Sequence, residues 1–222
     1  MKRYLLVVLI FFLPSCQTLP VIHAPSSPRA EKSLICPAPF LKKTCRFVHA
    51  IEARVGGRTQ SQMIGVTLVE PDTRSVSCAV ITVEGMSLFE AETNPQGIKV
   101  ERAVPPFDSG DFASNMMEDI GLIFLAPEGA LQNRGYLADG SKICRYLNEN
   151  GEWIDVVEDP SGDTQIKRYS SSEALKRSVR FSKGSKQKYQ RIELDADETF
   201  DYFLLMDLIE AQPVNKQGVK RK

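Results

Sequence analysis

The chain has 222 residues, with 28 basic and 28 acidic side chains and a formal net charge of zero. That balance lacks the positive footprint on which nucleic-acid binding depends, and the length predicts a single domain with one sizeable core. With two histidines, five cysteines and no CxxC spacing, a metal site is not indicated.

Lys2 and Arg3 precede an apolar run over residues 4–13. A spanning helix needs about 20 apolar residues, whereas this run fits the roughly 7 to 15 of a secretory h-region. Residues 1–15 therefore read as an export signal. Leu13-Pro14-Ser15-Cys16 resembles the bacterial lipobox, with a small residue immediately before the cysteine and a leucine three before it. The resemblance implies cleavage before Cys16, a diacylglycerol on its thiol and an acylated amine; the alternative is plain secretion with a fortuitous cysteine. A single acyl chain binds membranes only marginally, at about 0.8 kcal/mol per buried methylene, so two or three chains imply stable anchoring. Gln17 stands where lipoproteins kept at the inner membrane carry aspartate, which implies the outer membrane, with the domain facing the periplasm.

Removal of residues 1–15 takes Lys2 and Arg3 with it, leaving 26 basic against 28 acidic side chains. Residues 16–32 contain Pro20, Pro25 and Pro28 beside Ser26 and Ser27. Such a composition buries too little to offset ordering and reads as a tether. The folded domain is expected over residues 33–213, and 214–222, with Lys216, Lys220, Arg221 and Lys222, reads as a solvated basic tail.

Apart from Cys16, four cysteines remain: Cys36, Cys45, Cys78 and Cys144. An even number in an exported chain suggests two disulfides with three possible connectivities. Cys36 with Cys45, around Pro37 and Pro39, and Cys78 with Cys144 are the preferred pairs.

From Cys45 to Val55 apolar and polar residues alternate, which predicts a half-buried antiparallel strand, followed by a turn at Gly56-Gly57. Further strands are expected at 62–69, 75–84, 87–92 and 98–104; the one at 75–84 is apolar on both faces and should be central. Pro105-Pro106 ends this meander, and Asp108, Ser109 and Asp111 are helix N-cap candidates. Phe112, Ala113, Met116, Met117, Ile120, Ile123 and Phe124 then fall on one helical face. Strands resume at 142–147, 152–157 and 164–169 through loops of hairpin length. Residues 170–175 read as a loop or helical turn, and 179–181, 190–194 and 202–210 as the closing strands. The last of these fits a strand or a helix, with strand preferred. The order, about five strands, one helix and five or six strands, predicts a mainly β (α+β) fold: a curled antiparallel sheet or half-barrel packed around one or a few helices.

No GxSxG, HExxH, GxGxxG or Walker loop is present. A serine triad needs a histidine base. His23 lies in the tether, while His49, on an apolar strand face, reads as a buried, hydrogen-bonded structural residue. The carboxylate pairs Glu118 with Asp119 and Asp195 with Asp197 read as solvated surface. The sequence therefore gives no catalytic set and points away from an enzyme. It does supply apolar area with no assigned partner: Met116, Met117, Ile120, Ile123 and Phe124 on the helix, with Met63, Met86, Phe89 and Met206 on strands. Thioether and aromatic side chains of this kind suit an irregular apolar ligand; plain core packing uses the same residues, and composition alone favours the core.

The lipobox at Cys16, the proline-rich tether, the meander opening at Phe47-Val48-His49-Ala50-Ile51-Glu52-Ala53, the single helix after Pro105-Pro106-Phe107 and the second meander together resemble the LolA/LolB superfamily and its outer-membrane lipoprotein relatives. The likeness lies in element order over about residues 45–212. It implies a half-barrel closed by helices, whose apolar interior receives the acyl chains of a lipid or lipoprotein. The chain departs from that pattern in showing one clear helix and four extra cysteines. The expected function is a membrane-anchored lipoprotein that binds or transfers a lipid or acylated ligand in an apolar groove. The alternative is a non-enzymatic assembly or scaffold lipoprotein acting on envelope protein partners.

Overall fold

The computed structural model of the protein describes residues 18–25, 34–55, 57–109, 111–182, 189–197 and 201–214. The export signal, Cys16, residues 26–32 of the expected tether, Ser33, Gly56 and residues 216–222 of the basic tail lie outside these.

Twelve strands in chain order form one sheet: β1 (Cys45–Val55), β2 (Arg58–Glu70), β3 (Ser75–Thr82), β4 (Ser87–Asn94), β5 (Gly97–Ala103), β6 (Ala130–Tyr136), β7 (Lys142–Leu147), β8 (Trp153–Glu158), β9 (Thr164–Tyr169), β10 (Leu175–Phe181), β11 (Arg191–Ala196) and β12 (Tyr202–Pro213). Among the described residues there is one helix, α1 (Phe112–Phe124), between β5 and β6. Every pairing is antiparallel, and the spatial order is β5-β4-β3-β2-β1-β12-β11-β10-β9-β8-β7-β6. The first and last strands therefore pair in the middle, and two meanders run outward from them. Open twisted sheets beyond about ten strands curl, and this one stops short of closing, with β5 and β6 as its edges. Because α1 links those two edges, it must cross the mouth of the curled sheet. The fold is thus the unclosed, mainly β half-barrel predicted.

Directly opposed residues share a face, so the register traces the interior. Ala53, Leu204, Leu194, Val179, Ile166, Val156 and Cys144 form one row over seven neighbouring strands. On the other side of β1, Phe47 opposes Thr67, which opposes Cys78, which opposes Ala91. All but Leu204 in these two rows are buried. Helix α1 lays Met117, Ile120, Leu122, Ile123 and Phe124 on this surface. Asp111 is its N-cap residue but makes no side-chain cap bond. Phe47 stacks on Phe124 at 4.8 Å between ring centroids, and Tyr189 meets both rings edge-on or tilted.

Three features depart from the sequence expectation. Strand β6 has no counterpart in it: six of the seven residues of Ala-Leu-Gln-Asn-Arg-Gly-Tyr are exposed or half-buried, so an edge position leaves no apolar alternation to detect. Strand β10 starts at Leu175, four residues early, because Arg177 points inward and is only 1% exposed. Part of the expected tether is ordered against the sheet. His23 exchanges backbone hydrogen bonds with Tyr136 at 2.9 and 3.0 Å, extending the sheet beyond β6. The backbone of Gly135 permits this approach, since a Cβ there would lie 2.2 Å from the His23 carbonyl oxygen.

Candidate functional site

The cysteines pair differently from the preference. Cys36 is joined to Cys144, and Cys45 and Cys78 are buried free thiols. Sheet geometry keeps the two free thiols apart. Cys45 on β1 and Cys78 on β3 are separated by β2, and two strand spacings of about 4.8 Å exceed the span of a disulfide. Cys144 opposes Val156 on the inner face, so Cys36 must lie on that face too. Burial pushes the Cys78 thiol up to about 12, and it also raises Cys45.

The disulfide fixes residues 34–41 as a strap across the interior of the β7-to-β1 half of the sheet. Leu34, Pro37, Pro39 and Phe40 are buried along it, and Phe40 and Leu41 pack into the main core. The Leu41 amide donates to the Phe124 carbonyl at 2.9 Å, and the Tyr189 hydroxyl donates to the Pro39 carbonyl. At its other end the strap leads directly into β1.

The residues singled out as ligand contacts fall into three groups. Met63, Phe89, Met117, Ile120, Phe124 and Met206 are buried in one core cluster, and Met116 packs half-buried against it. Met86 is instead 59% exposed in the turn between β3 and β4, away from that interior, because the chain reverses at Gly85 with φ of 92°. Met117 alone of the eight also lines a cleft of about 330 Å³ between the β4–β5 turn, α1 and the start of β8. This volume is at the lower end of the usual range for small-ligand pockets, about 300 to 1,000 Å³. Its floor is Met117, Leu122 and Leu125, and its rim carries Arg74, Glu118 and Arg168.

The carboxylates divide between the surface and a buried polar network. Glu118, Asp195 and Asp197 are exposed as expected, but Asp119 is only 4% exposed. Its carboxylate accepts from Arg177 Nε at 2.9 Å and from the Tyr202 hydroxyl, and the Arg177 guanidinium lies over the Tyr202 ring. Desolvation raises the Asp119 pKa in spite of Arg177 and Tyr202, which pull it down. Nearby, Arg168 Nη1 donates to Glu118 at 2.9 Å. These contacts tie α1 to β9, β10 and β12 across the mouth. Adjacent charges on a helix face gave the one usable signal, since Glu118 and Asp119 point about 100° apart and cannot both face solvent on a helix that packs most of its circumference.

His49 is buried, 3% exposed, beside Phe47 and Phe124. It is hydrogen-bonded to the Tyr189 backbone, and Nε2 has no partner among the described residues. Burial lowers its pKa to about 4, so at neutral pH it is an uncharged core residue.

On the outer face, Arg145 binds Asp155 in a fork at 2.6 and 2.7 Å and donates to the Pro20 carbonyl at 3.0 Å. Pro20 thus lies on the outer face of the sheet, whereas Cys36 lies on the inner one. No helix among the described residues is long and apolar enough to cross a membrane.

By sequence the chain matches no protein-family model and no curated protein. Among solved structures it is similar to a LolA superfamily protein from Nitrosomonas europaea, with a TM-score of 0.56 at 11% identity over 79% of this chain and 88% of that one. A putative outer membrane lipoprotein-sorting protein domain from Vibrio parahaemolyticus aligns over 81% and 88% at 10% identity, with a TM-score of 0.44. The chain has a LolA/LolB-like fold.

Proposed function

We propose that the protein is an outer-membrane lipoprotein, anchored through Cys16, that binds or passes on a lipid or acylated ligand and performs no catalysis. The observation that carries this reading is the apolar inner face of an unclosed sheet, the row from Ala53 to Cys144. The row is buried under α1, and the sheet is left open along one seam, so an acyl chain would reach that face by displacing part of what covers it. Binding is driven by removing the chain from water, at about 25 cal/mol per Å², and delivery to a bilayer returns the chain to an equivalent medium. The fold of the Nitrosomonas protein is consistent with this reading. The test is native mass spectrometry of the protein purified from membranes, together with displacement of a fluorescent fatty acid. Absence of both co-purifying lipid and probe binding would remove the proposal.

A scaffold role is favoured by one separate observation. Strand β5 is an exposed edge with Ile98 and Val100 at 41% and 45% exposure, and an unpaired edge can accept a partner's strand. Crosslinking of intact envelopes would then recover a stoichiometric protein joined at residues 97–103.

A further inference from the structure

We infer that the cleft on the flank of α1 binds a small carboxylic acid with an apolar body, its carboxylate held by the vacant Nε and Nη2 edge of Arg168 and its body seated on Leu122, Leu125 and Ile154. The inference does not depend on the acyl-binding reading above. Its ligand sits in the mouth beside α1, not on the inner face that the helix covers.

The cleft has a volume of about 330 Å³. At about 100° per residue, Met117, Glu118, Gly121 and Leu122 fall on one flank of α1, whereas Met116, Ile120, Ile123 and Phe124 turn towards the core. A Cβ on Gly121 would meet nothing within 4 Å, so the helix leaves that flank open. The facing wall is the hairpin of β8 and β9, where Ile154 directly opposes Arg168 and both line the cleft. An apolar floor with one convergent charged group is the usual make-up of a small-ligand site.

Arg168 is only 9% exposed. Its Nη1 donates to Glu118 at 2.9 Å, no other hydrogen bond reaches the guanidinium from the described residues, and Nε is buried without a partner. The Nε and Nη2 hydrogens form the fork that matches a carboxylate. The protein uses this edge twice elsewhere: Arg145 holds Asp155 by it at 2.6 and 2.7 Å, and Arg191 holds Asp207 at 2.9 and 3.1 Å. On Arg168 the same edge is vacant. Charge decides the sign of the ligand. Arg168 and Arg177 oppose each other on β9 and β10, with side chains 11% and 1% exposed; of their carboxylate partners, Asp119 is 6% exposed but Glu118 is 50% exposed. The buried charges are therefore two guanidiniums against one carboxylate, and a carboxylate from outside completes the set. The other acidic side chains of the lining are already matched, Glu128 by Arg74 and Glu152 by Lys176.

The experiment titrates the full chain in detergent with phenylbutyrate and with phenylbutanol, which has the same body and no carboxylate, following the Arg168 Nε–H and Gly121 amide resonances by NMR. Phenylbutyrate should shift both resonances saturably and bind about tenfold or more tightly than the alcohol. Arg168→Lys keeps the charge but loses the fork; read at Gly121, it should weaken the acid about tenfold or more and leave the alcohol unchanged. Arg191→Lys removes a like fork at an exposed pair and should alter neither. Gly121→Phe, read at Arg168, should abolish binding of the acid. Equal affinity for acid and alcohol overturns the inference, and this comparison on the unaltered chain decides even if Arg168→Lys fails to fold. Undiminished binding in Arg168→Lys overturns it, as does the lack of any saturable shift. An acid held on the inner face instead would shift resonances of β1 and β11 and survive both cleft variants, which would overturn this site while supporting the acyl-binding reading.

Discussion

Arg177 on β10 and Asp119 on α1 meet at 2.9 Å with side-chain exposures of 1% and 6%, a buried ion pair across the mouth of the sheet. Taking two charges out of water is costly, and the pair repays it only while both partners and the Tyr202 hydroxyl are present. Arg177→Ala leaves a buried carboxylate and should cost about 3–5 kcal/mol of stability. The double replacement of Asp119 and Arg177 by Leu and Met should recover most of that loss. Urea titration of the two variants checks it; equal destabilisation of single and double variants would contradict the pairing.

Gly121 and Gly129 should respond in opposite directions to alanine. Gly121 is helical, and an added Cβ meets nothing within 4 Å, so Gly121→Ala should stabilise α1 by up to about 1 kcal/mol. A Cβ on Gly129, at φ of 108°, would lie 2.1 Å from the Leu147 carbonyl oxygen. Gly129→Ala should therefore cost more than about 1 kcal/mol and separate the start of β6 from β7. Thermal melts measure both. Since Gly121 also lines the cleft, Gly121→Phe should block it while the fold persists, giving a direct readout of whether a ligand uses that opening.

The positions that were legible in the sequence are those where burial alone decides. Cys45 to Val55 alternates because one face is interior, and α1 was found to within a residue because Met117, Ile120, Ile123 and Phe124 must share a side. The second meander was legible in its hairpin loops. What the sequence hid depends on contacts between distant parts. β6 is an edge strand whose side chains meet solvent, Arg177 is buried against Asp119 from α1 and Tyr202 from β12, and the strap is joined to Cys144, 108 residues away. Of the proposed ligand contacts, six are core residues of one cluster. Local composition does not separate a packed interior from one that an occupant could share.

His49 should make the protein acid-sensitive. In the unfolded chain the ring takes up a proton near its ordinary value of 6.5, but in the folded protein only near 4. Between those values the unfolded state binds more protons, so stability is fully present above about pH 6.5 and falls as pH falls towards 4. The full loss is about 3 kcal/mol, at 1.36 kcal/mol per pKa unit. His49→Leu should flatten that part of the stability profile, whatever it does at pH 7.5. An unchanged slope in urea titrations between pH 6.5 and 4.5 would show that other groups carry the acid response.

The two free thiols should be invisible to solvent reagents until the fold opens. Cys78 is 7% exposed with its pKa raised to about 12, and Cys45 is 9% exposed and also raised, so neither offers thiolate at neutral pH. In a chain with Cys16 replaced by serine, Ellman's reagent should report no thiol in the native state. It should find two after unfolding without reductant and four after reduction. The Cys36–Cys144 bond closes a loop of about a hundred residues, for which chain-entropy reasoning gives about 4–5 kcal/mol. Cys144→Ala should lose a comparable amount. Cys78→Ala removes only a small apolar group and should lose about 1 kcal/mol. Two native thiols, or none after unfolding, would mean that Cys36 and Cys144 are not partners, and the strap would then have no covalent hold on the inner face.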